Sequence, residues 1–505
     1  MPRVCGPILG FRGQDAGTGL WRLTVMVVHR GADQPGALSV TERGGSAVTT
    51  EPLTSLAEVA GLRFFGAEFA VPLRDAAYGL DYVIGDDGGW AFTVPAAGAS
   101  PRIAFASCND FSDPRDMKTI EDKNALWTGV AKAHADEPFH LLLMGGDQIY
   151  ADALWHKVAA LDGFDEMTRA ARIAHPAGPE AHAAIAAFYV DLYRERFSQP
   201  PVAHALASIP TLMMWDDHDI FDGWGSYTPE EQGSDVFKAV FAAARTAFAL
   251  YQLQSIPEAP AWPRLAGQDA FNALLRIGDI GVLVLDLRSQ RTRTAILQPD
   301  TWNVVLTALD GTGDLKHLLV MSSIPLVHPD LSFLERTLDI LPGGQALEDD
   351  LHDQWVGYGH RVERLRLIRR LLDFADAQGT RVTILSGDVH IGALGVIEAL
   401  RAAPRYPNAN VINQLTSSGI VHPPPPRFVQ YFLEQLAMRV DDLDGTVQAR
   451  MLQFPGTNHH FLGARNWLSL DFDDQYRIWA NWHVEGVKEA LTKVIYPCME
   501  QSLRR

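Results

Sequence analysis

Residues 211–227 read TLMMWDDHDIFDGWGSY. The apolar run at 212–215 breaks abruptly into Asp216, Asp217, His218, Asp219 and Asp222. Four apolar residues in a row, without alternation, suit a strand covered on both faces, which places the acids just beyond its carboxyl end. Four carboxylates around one imidazole require something positive among them.

The same texture recurs outward from this stretch. Short continuous apolar runs at 103–106, 141–144, 282–285, 318–321, 382–385 and 411–415 each stop at polar residues. Helical patterns separate them. One covers 180–197 behind Pro179, one 236–253 behind Ser234 and Asp235, and one 361–378 before Gly379, with the cap chemistry that starts and stops a helix. Strands alternating with helices describe a layered α/β domain. Hairpin patterns close the segments at 271–286 and 467–484. Before residue 98 the pattern instead alternates, as at 21–27 and on both sides of the 85–89 turn, and no long helix is evident. This predicts an N-terminal antiparallel β-domain at 1–98, a PAAGASP linker at 95–101, and a catalytic unit at 99–505.

The chain has 505 residues, 61 acidic against 43 basic side chains and a formal charge of −18. That balance argues against a nucleic-acid or anionic-membrane partner, since both ask for clustered Lys and Arg. Cys5, Cys108 and Cys498 lie far apart in sequence, too few for a disulfide framework and in no CxxC spacing, which fits a reducing, cytoplasmic setting.

In α/β sheets, ligands gather beyond the carboxyl ends of the strands. Four ends carry unusual residues: Ser107–Asp110, Gly145–Asp152, Asp216–Asp219 and Ser386–His390. Cys, Asp, Tyr and His donors are a mixed metal-ligand set, and their surplus of carboxylates suggests two ions sharing one of them, with Asp147 as the bridge.

The ordered motifs ASCND (106–110), GGDQIYAD (145–152), WDDHD (215–219), DLRSQRTR (286–293), SGDVH (386–390) and LTSSGIVH (415–422) resemble the metallophosphoesterase superfamily. Within it they are similar to the PhoD-like alkaline phosphatases, over roughly residues 100–485. The resemblance implies a layered metallophosphoesterase-like β-sheet core flanked by helices. It also implies that Cys108, Asp147, Tyr150 and His390 surround one metal, and that Asp217 joins Asp147 and Asp388 around the second. His218 would serve as the acid for the leaving oxygen. Cys108 stands where the wider superfamily has an Asp-x-His pair, and Asp388 replaces a histidine; PhoD-like enzymes share these departures. The implied ions are Fe3+ with Ca2+, with Zn2+ or Mn2+ as alternatives. The implied reaction is hydrolysis of a small phosphate ester, monoester or diester, by metal-bound hydroxide.

Arg288, with Arg291 behind it, is the arginine read as holding the phosphoryl group. Asp216 and Asp219 are read as capping the following turn, and Asp152 as supporting a ligand. His328, His352, His422, His459 and His460 are read as structural. Two other functions compete. An HD-type phosphohydrolase would use the His218–Asp219 pair, but that chemistry belongs to an all-helical scaffold. A catalytically silent binding or scaffold protein would have less reason to keep donors at four strand ends.

Overall fold

A computed structural model describes residues 3–15, 17–111, 120–258, 264–265, 269–329, 355, 359–400 and 404–498. His352 lies outside them. All seven apolar runs are strands, and each is buried along its whole length or nearly so. Continuous apolar sequence is the expected consequence, because neither face of such a strand meets water.

Among the described residues the strands form three sheets. The first has at its centre Ile103–Ala106, Leu141–Gly145 and Thr211–Met214, all parallel. The hairpin Asn466–Phe472 and Ile478–Val484, followed by Leu491–Ile495, continues it past Ile103–Ala106. The second sheet has Ile280–Val284, His317–Met321, Arg381–Ser386 and Val411–Thr416 in parallel order. It is bordered by Ala273–Ile277 on one side and by Gly392–Ala399, then Val447–Leu452, on the other. A four-stranded sheet is built from Leu38–Glu42, Ala47–Glu51, Tyr78–Ile84 and Asp87–Val94.

The expected boundary at 98/99 does not separate two sheets. Arg3–Asp15 pairs in parallel with Thr211–Met214, Gly10 opposite Thr211. Leu20–Arg30, Leu62–Pro72 and Thr54–Val59 extend the same ten-stranded sheet from there. Alternation in the sequence announced the hairpins, but a period of two does not say which edge a hairpin joins. Among the described strands before residue 98, only those of the four-stranded sheet lie outside it.

Two apolar clusters cover the second sheet, and its residues divide between them by parity. Val282, Val284, Leu319, Met321, Leu385 and Leu415 pack into the cluster that contains the first sheet's Leu143, Phe105 and Met213. Leu283, Leu318, Val320, Val382, Ile384 and Ile412 pack instead with Leu367, Leu371 and Leu372 of helix Arg361–Gln378. The alternation of Cβ directions along a strand makes this division unavoidable. Helix Arg361–Gln378 ends at Gly379, whose φ of +68° is the left-handed conformation that a C-terminal glycine supplies without a Cβ penalty. No helix among the described residues is long and apolar enough to cross a membrane.

Candidate metal centre

The two parallel strand sets end at one place, and their loops are stitched together by backbone hydrogen bonds. Cys108 N donates to Gly146 O at 3.1 Å and Asn109 N to Asp147 O at 2.7 Å. From the second sheet, the amides of Val421 and His422 both donate to Cys108 O at 3.2 Å. Ser107 Oγ donates to Ser417 O at 3.0 Å, and Ser418 Oγ accepts from His390 N at 2.9 Å. The packing leaves no room for more: a Cβ on Gly387 would stand 2.5 Å from Ser107 Oγ.

Cys108, Asp147, Asp388 and His390 all have positive φ, between +53° and +69°. Residues with a Cβ adopt that region at a cost of order 1–3 kcal/mol each, and such residues concentrate where function over-determines the backbone. Here the unusual backbone turns four donors toward a common point.

The donors fall into three groups, one of Asp217, His218 and Asp222 and two that share Asp147. Cys108, Asp147 and His390 form one; Asp147, Asp216, Asp217 and Asp388 form the other, each with ligand atoms mutually within 4.8 Å. Cys108 Sγ lies 3.4 Å from Asp147 Oδ2 and 3.0 Å from Ser418 Oγ. Tyr150 joins the first group through its hydroxyl, 3.1 Å from His390 Nε2. All six expected ligands are therefore brought together.

Their surroundings ask for a cation. Burial first, then Asp147, pushes the Cys108 thiol well above its ordinary pKa. Burial and neighbouring carboxylates, Asp216 foremost, do the same to Asp147, and burial raises the Tyr150 phenol. Burial, then His422, pushes His390 far down, keeping its imidazole neutral. Asp147 Oδ1 is buried with no hydrogen-bond partner among the described residues. Such an atom is costly unless something occupies its lone pairs. A pair of metal ions would fit the donors, their number and that orphaned oxygen.

Asp216 caps the turn, its side chain accepting from the backbone N–H of Asp219 in a capping box, and it also belongs to the all-carboxylate group: it is fully buried and accepts from Arg288 Nε and, at 2.8 Å, from Ser323 Oγ. Asp219 closes the other half of that capping box. It accepts from Gln148 N, Asp216 N, Tyr193 and Gln252. Arg288, read as reaching the substrate, is turned inward with no exposed surface, bonding Asp216, Asp217 (3.2 Å) and Trp224 O (3.1 Å). Its fork is occupied by these carboxylates. Arg291 is likewise buried.

His218 Nδ1 lies 2.8 Å from Asp152 Oδ2, and its ring stacks on Tyr150 with centroids 4.3 Å apart. Burial opposes its charge, but Asp152 and Asp217 outweigh burial and raise its pKa well above the ordinary value. His422, set aside in the sequence, stacks on His390 at 3.5 Å and on Tyr150 at 5.2 Å. Its place at the end of the Val411–Thr416 strand loop was the available signal. His459 and His460 instead face Glu434, at 3.7 and 2.9 Å.

A family model described as PhoD related phosphatase matches residues 90–345 and 341–440. An uncharacterized protein of Saccharomyces cerevisiae is 25% identical over 528 residues, covering 86% of this chain and 74% of its own. A solved structure of PhoD overlays with a TM-score of 0.60 at 14% identity, covering 99% of this chain and 93% of that one, a likeness of fold. With the family model spanning well over half of its length, the chain belongs to the PhoD-related phosphatases.

Proposed function

We propose that this protein hydrolyses small phosphate esters at a two-metal centre bridged by Asp147. The observation that carries the reading is the sharing of Asp147 between two donor groups of unlike chemistry at converging strand ends. Cys108, Tyr150, His390 and Asp147 would hold one ion. Thiolate, phenolate and imidazole suit a transition metal, and we assign Fe3+ before zinc or manganese. Asp147, Asp217 and Asp388, with Asp216 beside them, offer only carboxylate oxygen and suit a hard ion such as Ca2+. When bound, such ions lower the pKa of water toward ~7 and neutralise charge on a phosphoryl group.

The chain's own groups do the rest. Asp152 holds His218 through Nδ1, so Nε2 can hand a proton to the leaving oxygen, a step worth typically ~10²–10⁴ in rate. Arg288 aligns Asp216 and Asp217 by sharing its donors between them. Two sheets that share one apolar cluster, with helices on the second sheet's other side, support the layered metallophosphoesterase arrangement. A cytoplasmic setting and a small-molecule substrate remain the reading of the cysteine usage and the acidic surface.

The test is metal analysis of the purified protein coupled to turnover of an aryl phosphate. Two ions per chain and metal-dependent release of phosphate are expected. A folded protein that binds no metal and turns nothing over would instead be a silent member of the family.

A further inference from the structure

Residues 423–426 are four prolines in a row directly behind His422, and a residue that precedes proline is disfavoured from the α region. Hydrogen bonds restrain His422 further. Its amide donates to Cys108 O at 3.2 Å, and its ring Nδ1 donates to Pro423 O at 2.8 Å. Gly419, with φ of +78°, packs so closely that a Cβ there would stand 2.5 Å from His422 O. Backbone and ring are both held in place.

The contacts of that ring are with metal-centre residues. It stacks on His390 with centroids 3.5 Å and planes 21° apart, and on Tyr150 with centroids 5.2 Å and planes 25° apart. These are the two ring-bearing donors of the first group, and the Tyr150 hydroxyl also lies 3.1 Å from His390 Nε2. A metal-ligating imidazole is ordinarily oriented by a carboxylate, a carbonyl or a water on its second nitrogen. Among the described residues His390 has no carboxylate or carbonyl partner for its ring, whose one hydrogen bond is the contact with Tyr150. The face of His422 lies where it can supply the orientation that such a partner would give.

We propose that His422 is the positioning residue of the first donor group: its clamped ring holds the His390 imidazole and the Tyr150 phenol in the arrangement that takes the transition-metal ion. The inference rests on the two-metal reading and adds to it what orients the two ring ligands. His422 itself donates nothing to the ion in this role. A flat face at that place is the property that counts, so another aromatic ring should replace it and a small side chain should not.

The test is metal retention by the full chain loaded with Fe3+ and Ca2+, for the wild type, His422→Ala and His422→Phe, with both metals measured by elemental analysis across a series of chelator concentrations. His422→Ala should hold iron ~10–100-fold more weakly, the usual cost of losing a group that orients a ligand, while calcium is retained as in the wild type. His422→Phe should retain both metals. A phenolate bound to ferric iron absorbs visible light, so the absorption per bound iron should change in His422→Ala and not in His422→Phe. Equal iron retention by the wild type and His422→Ala overturns the role. So does equal loss of iron from the two variants, which would assign the effect to the Nδ1 hydrogen bond, and so does parallel loss of iron and calcium from His422→Ala. Those results leave the two-metal reading intact, whereas a wild type that binds no iron would sink that reading and this inference with it.

Discussion

The two donor groups on either side of Asp147 differ in almost everything except burial. One gathers a thiol, a phenol and an imidazole, which carry no charge in the absence of metal because burial holds the thiol and phenol protonated and the ring neutral. The other gathers Asp216, Asp217 and Asp388, and already contains a cation of its own, the Arg288 guanidinium. Removing the metals would thus leave the first group neutral and the second still partly compensated. The contrast teaches that one shared carboxylate can serve two sites whose selectivity is set by everything else around it.

The change that should break both sides at once is Asp147→Asn. Both ions should be lost or weakened and turnover should fall at least ~10³-fold, as for loss of a group on which the whole site depends; undiminished metal content would end the bridging assignment. Next in size is Cys108→Ser, expected to lose the transition metal while keeping the hard ion, which elemental analysis of the variant can read directly. Simultaneous loss of both would show that the two sides are not separable.

His218→Ala should keep both metals and lose ~10²–10⁴ in kcat; loss of metal there would mean that the imidazole is a ligand. Arg288→Met should be milder, weakening the hard ion ~10–100-fold, the usual cost of removing a group that orients ligands, while the transition metal stays. An unchanged second site would return Arg288 to a purely structural role.

The smallest effect lies outside the comparison and serves as its control. Buried His317 is held down to about 4 by desolvation, against ~6.5 unfolded. The unfolded chain therefore binds its proton first, and the share of stability that His317 carries should fall as pH drops from ~6.5 to 4, by up to about 3 kcal/mol. Denaturant titrations of the wild type and His317→Gln at several pH values should differ by that slope, and the difference should be the same with and without metal.

Much of this was legible in the residues. Runs without alternation named all seven central strands, because a strand covered on both faces has no polar position to spare. The ligand types were readable because they interrupt those runs at their carboxyl ends. Direction was not readable. Asp216, Asp217 and Asp219 sit within one short turn, and the sequence does not reveal that the third faces Tyr193 and Gln252 while the first two face Arg288. Arg288 itself follows a strand end as a substrate-binding arginine would, yet nearby carboxylates claimed its fork. His422 was passed over because a lone histidine carries no signal until His390 is found stacked upon it.

One pairing described above also sets an order of events when the chain is made. Arg3–Asp15 has its parallel neighbour at Thr211–Met214, so the opening strand leaves the ribosome long before its partner does. At ~5–20 residues per second, a gap of about 200 residues means roughly 10–40 s of waiting. In that interval its partner Leu20–Arg30 can cover one edge, while the other edge stays open to wrong partners. The strand that leads into Asp216 and Asp217 covers that edge, so shielding the opening strand and delivering those two acids are a single step of folding.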